Sequence, residues 1–338
     1  MENYLLCCDW GTSFFRLQLV HIADYTILDQ EVSPDGIAAT YNAWKLDAAG
    51  EAVPRSQFFR RQLHAQITRL AGRIGMSLDH VPVVISGMAS SSIGMEDVPY
   101  ATLPFALNGS RASVCYFDSQ VEFPHDVYLV SGVRSGEDVM RGEETQLIGV
   151  TPLLGTVDRK LDDAIFICPG THSKHMYVSQ RQLVDFHTYM TGEVFNLLAT
   201  HSILKNSVEV EHLTASLAID PEAFKLGVRE ADACAILNRL FTIRTNQLFG
   251  KLSSQENALY LSGLLIGTEL KPLRKPEKQE LVLCCGSRLS PFYTLAIEEL
   301  GLAERTTILS PELVDKAAIV GQVMLFQNHQ KPEKEVVK

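Results

Sequence analysis

Two segments of the chain share one pattern, and this pattern constrains the fold more than any other feature. The segments are YLLCCDWGTSFFRLQL and AIFICPGTHSKHMYVS, and each places an apolar strand before a glycine–threonine turn and a second strand. The corresponding residues are Gly11 and Gly170, Thr12 and Thr171, and Ser13 and Ser173. Ordinary hairpins also use glycine, threonine and serine, so chance similarity and simple turn chemistry stay open. The alternative is two related domains that present hairpin tips to one ligand.

Length and composition favour a two-domain protein of the cytoplasm. The chain has 338 residues, more than one hydrophobic core usually serves. The net charge of -10 gives no basic field for nucleic acid or anionic lipid. The seven cysteines lie mostly in apolar runs and form no C-x-x-C pair, which indicates buried thiols in a reducing compartment. No signal peptide or membrane-spanning stretch is recognisable, and the tail Lys331–Lys338 is expected to fray.

The order of apolar runs and periodic segments predicts a mixed α/β fold. The predicted strands are Tyr4–Cys8, Phe14–His21, Ile27–Ser33, Val81–Ser86, Val127–Val130, Ala164–Cys168, His175–Ser179, Gln182–His187, Leu281–Cys285 and Thr306–Leu309. The predicted helices are Gln57–Ile74, Glu137–Val150, Glu193–Leu204, Pro221–Phe249 with an internal break, Glu256–Leu270, one from Pro291, and Glu312–Asn328. The first half is rich in strands, and the second half becomes rich in helices.

The residue types at the two turns suit a phosphate ligand. Backbone N–H groups, small hydroxyls and glycines that permit close approach match phosphate oxygens. The carboxylate of Asp9 suits a hydrated magnesium ion, which favours one or two carboxylates together with phosphate oxygens. The chain has neither the G-x-G-x-x-G nor the G-x-x-x-x-G-K-[ST] motif, which counts against a dinucleotide dehydrogenase and a P-loop kinase. His172 and His175 lack a credible third metal ligand.

A set of short motifs in a fixed order resembles one enzyme family. The motifs are DWGTSFFR, SGM, PYATLP, SGVRSGEDVMRGEETQLIG, CPGTHSKHMYV, FHTYMTGEVFNLLATHSIL, YLSGLLIGTEL and CCGSRLSPFYTLAIEELG. Together they resemble the 2-dehydro-3-deoxygalactonokinases of the sugar kinase/Hsp70/actin superfamily. The resemblance implies two ribonuclease H-like domains, as in actin-like ATPases, with a nucleotide cleft between them. It also implies phosphorylation of the terminal 6-hydroxyl of 2-dehydro-3-deoxy-D-galactonate by MgATP, a phosphotransfer to an alcohol in galactonate catabolism.

The resemblance assigns roles to residues of the two hairpins and of a later loop. Asp9 would hold Mg²⁺ through water. The residues expected to contact ATP and its phosphates are Gly11, Thr12, Ser13, Gly170, Thr171, His172, Ser173, Lys174, Gly286 and Ser287. The last two end a buried strand and would let the backbone approach the adenine ring. Polar hairpin tips, a strand-edge lysine and a plain strand-to-helix loop are the ordinary alternatives.

RGEETQLIG resembles the catalytic segment of related kinases. There a carboxylate at the start of a helix takes the proton from the attacking hydroxyl, and Glu143 occupies that position. A carboxylate at a helix N-terminus also complements the helix dipole, and the choice between Glu143 and Glu144 stays open.

The resemblance also assigns residues that contact the substrate. A sugar acid calls for cationic donors, and the expected contacts are Arg16, Met88, Ser90, Ser91 and Arg134, with Arg141 a further candidate. The stretch GMASSSIGMEDVPY departs from the family pattern, because Met95 stands where tryptophan is common. A kinase of another sugar or sugar acid therefore stays open, as does a non-catalytic actin-like nucleotide switch.

The resemblance also predicts how the chain is divided into domains. Residues 1–145 would bind substrate and carry the first hairpin, residues 146–330 would bind the nucleotide, and residues 331–338 would form the tail. The expected partner is a small sugar acid, without nucleic acid or membrane, and a homo-oligomer is compatible with the sequence.

Overall fold

The computed structural model describes residues 3–47, 53–154, 162–231, 235–274 and 279–330. Its strands are β1 (Tyr4–Trp10), β2 (Phe15–His21), β3 (Ile27–Ser33), β4 (Val83–Gly87), β5 (Ala101–Thr102), β6 (Phe105–Ala106), β7 (Val114–Phe117), β8 (Val127–Val130), β9 (Val133–Arg134), β10 (Val139–Met140), β11 (Ala164–Cys168), β12 (Ser173–Ser179), β13 (Gln182–Tyr189), β14 (Glu280–Leu283) and β15 (Thr306–Ile308). Its helices are α1 (Ile37–Asp47), α2 (Arg55–Ile74), α3 (Glu143–Leu153), α4 (Thr191–His201), α5 (Leu213–Ile219), α6 (Glu222–Glu230), α7 (Ile236–Leu248), α8 (Ser254–Leu270), α9 (Ser290–Glu299) and α10 (Pro311–His329).

The chain forms two compact units. The first unit comprises Met1–Asp158 and Asp315–Lys338, and the second unit comprises Arg159–Val314. The first unit thus extends beyond the predicted boundary at residue 145 and takes in most of α10. The roles assigned to the two predicted domains stay predictions.

The main sheet of the first unit has the order β3-β2-β1-β4-β8-β7. β1 pairs antiparallel with β2, and β2 pairs antiparallel with β3, so the chain starts as a meander. β4 then adds parallel to the other side of β1, and β8 adds parallel to β4. A small separate sheet in the same unit has the order β10-β9-β5.

The second unit repeats this arrangement. Its strands lie in the order β15-β14-β11-β12-β13. The β11-β12-β13 meander is antiparallel, and β14 and β15 add parallel beyond β11. An antiparallel meander extended by parallel strands on its first strand is the ribonuclease H-like topology. Both units have it, and the predicted α/β fold class is confirmed.

The core of the first unit explains why β1 reads as an apolar run. Leu6, Cys8 and Trp10 lie on one side of the strand and belong to a buried cluster with α2. α2 contributes residues spaced at three and four positions, the period that places side chains on one helix face. They are Phe58, Phe59, Leu63, Ile67 and Leu70.

The last helix, α10, packs against α3 of the same unit with the two backbones in close contact. A Cβ atom on Gly149 of α3 would lie 1.8 Å from the carbonyl oxygen of Ala317, and one on Gly321 would lie 1.9 Å from that of Thr145. The two helices therefore touch backbone to backbone where glycine leaves room. Next to this contact, Nε2 of Gln322 donates to the carbonyl of Cys8 and to the hydroxyl of Ser86, at 2.8 Å each.

Most predicted elements are confirmed, and one helix start is wrong. The helix predicted from Glu137 begins only at Glu143, because the residues before it form β10 and a turn at Gly142. The backbone angle φ of Gly142 is +114°, a positive value that glycine adopts at little energetic cost. The predicted break inside Pro221–Phe249 is confirmed by the separation of α6 from α7. The sequence did not predict α1 and α5.

Two further predictions concern the cysteines and the tail. Cys7, Cys8, Cys168, Cys284 and Cys285 are free and buried, as predicted. Cys115 is free and half-buried. Cys234 and the tail Lys331–Lys338 lie outside the described residues. Among the helices that the structure describes, none combines the length and the apolar character needed to cross a bilayer.

Candidate functional site

The first hairpin tip joins β1 to β2 and is held by a helix that the sequence did not predict. The N–H of Ile37 donates to the carbonyl of Gly11 at 2.9 Å, and the N–H of Ala38 donates to that of Thr12 at 3.1 Å. Thr12 and Ser13 keep their side chains exposed. The start of α1 thus fixes the turn from behind, and the hydroxyls stay accessible to a ligand.

Asp9 lies in β1 just before this tip, opposite Arg16 of β2 in the strand register. No described residue donates a hydrogen bond to its carboxylate. Burial raises the pKa of Asp9 to about 6, Arg16 opposes this rise, and the negative charge of Glu143 adds to it. A half-buried carboxylate without a donor, beside a second acid, suits a cation.

Glu143 and Glu144 begin α3 but differ in their surroundings. Glu143 is half-buried, and its Oε2 accepts the N–H of Arg141 at 3.1 Å. Glu144 is buried, and its two oxygens accept the N–H of Gly142 at 2.7 Å and the hydroxyl of Thr145 at 2.9 Å. Glu144 therefore satisfies a backbone N–H at the N-terminus of α3. Of the two acids, Glu143 is the more accessible to a substrate hydroxyl.

The buried carboxyl of Glu144 makes stability depend on pH. Burial and the neighbouring charge of Glu143 raise its pKa from 4.5 to about 7. Between these values the folded chain holds a proton that the unfolded chain has lost, so stability falls as pH rises. We expect the free energy of unfolding of Glu144→Gln, relative to wild type, to increase by up to about 1.4 kcal/mol per pH unit across this window. Urea unfolding of both proteins between pH 5 and 8 measures this difference, and a pH-independent difference would contradict it.

The serine-rich segment after β4 uses its hydroxyls internally. Ser91 donates to the carbonyl of Met88 at 2.7 Å. Nη1 of Arg141 donates to the carbonyl of Ser90 and, at 2.5 Å, to its hydroxyl. The guanidinium of Arg141 also lies 4.2 Å from the ring centroid of Tyr100. The segment is thus tied to the residues just before Glu143.

The other predicted substrate residues differ in accessibility. Arg16 and Met88 are half-buried, and Arg134 is exposed on β9. Ser90 and Ser91 are buried. The substrate contacts of all five stay predictions.

The second hairpin joins β11 to β12 and is held by the start of α4. The N–H of Glu193 donates to the carbonyl of Thr171 at 3.0 Å, and Nε2 of His172 lies 2.5 Å from Oε2 of Glu193. Lys174 is buried, and its ammonium donates to the carbonyl of His172 at 3.2 Å. The α4 contact on this turn corresponds to that of α1 on the first.

A cavity of about 670 Å³ opens beside this turn within the second unit. Gly170 and Thr171 form part of its wall, and most of the rest comes from helices and the loop before α9. Polar residues in the wall include Thr191, Asn196, His212, Thr214, Ser262 and Arg288. A cavity of this size, with polar and apolar residues in its wall and a glycine turn at its edge, suits a nucleoside phosphate.

The loop after β14 carries Gly286 and Ser287, whose contact with adenosine stays a prediction. Gly286 and Ser287 are exposed, whereas the next two residues, Arg288 and Leu289, line the cavity. The polar residues of α4, α5 and α8 in the cavity wall were not identified from the sequence. They lie on helices far apart in the chain, and no local motif marks them.

Comparison with known proteins gives these sites a family. The family model for 2-keto-3-deoxy-galactonokinase matches residues 9–322. The chain belongs to this family. The match begins at Asp9 and ends at Gln322, so it includes both hairpins, α3 and the cavity residues.

Individual proteins with names from the 2-keto-3-deoxy-galactonokinase family are also similar to this chain. The 2-dehydro-3-deoxygalactonokinase of Escherichia coli (strain K12) is 30% identical over 258 residues, which are 71% of this chain and 82% of that protein. A second relative is DgoK1 of Rhizobium meliloti (strain 1021), for which 2-dehydro-3-deoxygalactonokinase activity is proposed. It is 30% identical over 313 residues, which are 90% of this chain and 92% of that protein. A crystal structure is known for a Sinorhizobium meliloti protein for which the same kinase activity is proposed. Its TM-score with this chain is 0.74 at 26% sequence identity, and the match covers 96% of this chain and 98% of that one.

Proposed function

We propose that this chain transfers the γ-phosphoryl group of ATP to the terminal hydroxyl of 2-dehydro-3-deoxy-D-galactonate. The observation that carries the proposal is the family match across both hairpins and α3. Its relatives carry the name of this activity at 30% identity. Because the reaction consumes ATP, we also propose that the protein works in the cytoplasm.

The nucleotide is assigned to the second unit. The adenosine would enter the 670 Å³ cavity, where Arg288 and Leu289 follow the exposed Gly286–Ser287 turn. The phosphates would meet the backbone of the Gly170–Thr171 turn, since this turn stands at the cavity edge. Phosphoryl transfer depends mainly on alignment and on charge stabilisation, so a turn held rigidly by α4 serves this role.

The residues of the first unit fit a magnesium ion that arrives with ATP. Asp9 offers one carboxylate with no donor of its own among the described residues. Within those residues, no group of three or more acidic, histidine or cysteine side chains could hold a metal without help. One carboxylate combined with phosphate oxygens is the arrangement that Mg²⁺ favours. When bound, the ion would neutralise charge on the phosphates.

Glu143 would accept the proton of the sugar hydroxyl. Its position at the start of α3 leaves it half-buried, and its charge acts on Asp9. A base near the hydroxyl raises the nucleophilicity of the oxygen as the bond to phosphorus forms. Arg16, Arg134 and the Met88–Ser91 segment are proposed to contact the sugar acid.

ADP release with MgATP tests the proposed function. The acceptors are 2-dehydro-3-deoxy-D-galactonate, its gluconate epimer, and a panel of hexoses and hexonates. We expect fast release with the galactonate derivative alone. Release with a different sugar acid alone would keep the kinase mechanism but change the substrate, and Ser90 and Ser91 would be examined first. Nucleotide binding without release for any acceptor would favour the nucleotide switch.

A further inference from the structure

A buried carboxylate near the nucleotide cavity has no role in the chemistry proposed above. Glu269 lies on α8 and is 2% exposed. Its Oε1 lies 3.1 Å from Nε2 of His175 on β12, and its Oε2 accepts the hydroxyl of Tyr293 on α9 at 2.8 Å. The hydroxyl of Thr191, at the start of α4, also donates to Oε2. A charge buried this deeply is costly unless donors satisfy it, and here three elements supply them.

The first path from Glu269 to the hairpin runs through Tyr293. The phenol gives its only proton to the carboxylate, so at its 3.0 Å contact with Ser173 it must accept the serine proton. The Ser173 oxygen is then left to accept the N–H of Gly170 at 3.4 Å. The chain of donors therefore runs in one direction, from Gly170 to Glu269. It begins at the glycine that forms the cavity edge.

The second path runs through the start of α4. Thr191 is bound to Glu269, and the next residue, Gly192, lies directly against the hairpin. A Cβ atom on Gly192 would lie 2.6 Å from the carbonyl oxygen of Gly170 and 2.9 Å from Cα of Thr171. Because this contact has no free space, a shift of Thr191 must move the turn. Glu269 is thus connected to the hairpin along two routes.

Both paths use residues that form the cavity wall. Thr191, Gly192 and Tyr293 line the same cavity as Gly170 and Thr171. Glu269 itself does not line it, so it does not contact a ligand there directly. It is placed to hold the wall residues in one arrangement before the nucleotide binds. Such preorganisation lowers the cost of binding.

We propose that Glu269 is a positioning residue for the nucleotide, acting through Tyr293–Ser173 and through Thr191–Gly192 on the Gly170–Thr171 turn. This role rests on the proposed function in one respect only, namely that the cavity binds the nucleotide. The alternative is a hydrogen-bond network that stabilises the second unit without affecting ligand affinity.

The test removes one donor at a time. Glu269→Ala would leave three donors without an acceptor, two of them buried, and can prevent folding. We therefore choose Tyr293→Phe and Thr191→Val, which keep the side-chain shapes. The matched control is Tyr260→Phe on α8, the helix that also carries Glu269. The Tyr260 hydroxyl donates to Oε2 of Glu230 at 2.5 Å, and Tyr260 does not line the cavity. All variants are compared by thermal unfolding, MgADP titration calorimetry, and the KM for ATP and for the sugar acid.

We expect Tyr293→Phe and Thr191→Val each to raise the Kd for MgADP and the KM for ATP about tenfold, the loss typical of one bond to a charged group. The KM for the sugar acid should stay at the wild-type value. Tyr260→Phe should lower the Tm comparably and leave the Kd unchanged. A Kd within twofold of wild type in both cavity variants, or an equal rise in Tyr260→Phe, would overturn the role of Glu269.

The binding measurement separates this role from the proposed function. MgADP titration needs no sugar acid, so a wild-type chain that binds MgADP but phosphorylates none of the acceptors refutes only the proposed function. In that case the Kd comparison still decides whether Glu269 positions the turn. A wild-type chain that binds no nucleotide refutes both.

Discussion

Glu143→Gln is expected to lower kcat by about 10²- to 10⁴-fold, with little change in the Kd for MgADP. The amide keeps the size of the side chain but cannot accept the hydroxyl proton. The adenosine and the phosphate turn Gly170–Thr171 are assigned to the second unit, so the affinity for MgADP should change little. Single-turnover ADP formation and MgADP titration calorimetry measure the two effects separately.

Glu144→Gln is the matched control for this prediction. Glu144 is adjacent in sequence but buried, and its oxygens are occupied by Gly142 and Thr145. Its replacement should leave kcat within severalfold of wild type. Near-normal turnover in Glu143→Gln would remove that residue from the role of base. If turnover were lost only in Glu144→Gln, the base would be reassigned to Glu144.

Gly149→Ala is expected to destabilise the first unit by about 3 kcal/mol. The added methyl would lie 1.8 Å from the carbonyl oxygen of Ala317 and 2.6 Å from the nitrogen of Gly321. Both are backbone atoms of α10, so the helices must separate to admit it. The gain of about 1 kcal/mol in helix propensity is too small to compensate. Thermal unfolding should show a fall in Tm of roughly 10 °C.

Gly72→Ala makes the same change where space is available. Gly72 lies in α2, and a Cβ atom there would have no heavy atom within 4 Å. The substitution should raise stability by up to about 1 kcal/mol, because alanine favours the helix. Equal Tm values for Gly149→Ala and wild type would mean that α3 and α10 adjust freely. The backbone contact between them would then not be a close one.

The fold was largely predictable because its central strands, such as β4, β8 and β11, are buried on both sides. Runs such as Ala164–Cys168 and Val127–Val130 carry apolar residues throughout, and their bounds match the structure. The start of α3 was not predictable in the same way. Residues Glu137–Arg141 fit a helix by composition, whereas Gly142 takes a positive φ that a periodicity argument does not detect.

The candidate site was predictable where it lies at turns and hidden where it lies on helices. Asp9, Gly11 and Gly170 belong to compact motifs, so a short stretch of sequence marks them. Asn196, Thr214 and Ser262 reach the cavity from three different helices. Glu269 reads as one acid at the end of an apolar helix, and only the folded arrangement places Thr191 and Tyr293 against it.

The position of α10 sets an order on folding during synthesis. Gln322 bonds to the carbonyl of Cys8 and the hydroxyl of Ser86, so the strand that carries Asp9 lacks these partners until the ribosome has passed residue 322. The second unit is one continuous segment, Arg159–Val314, and is complete before that point. Domains that emerge first usually fold first. In this chain the unit that is started first is finished last.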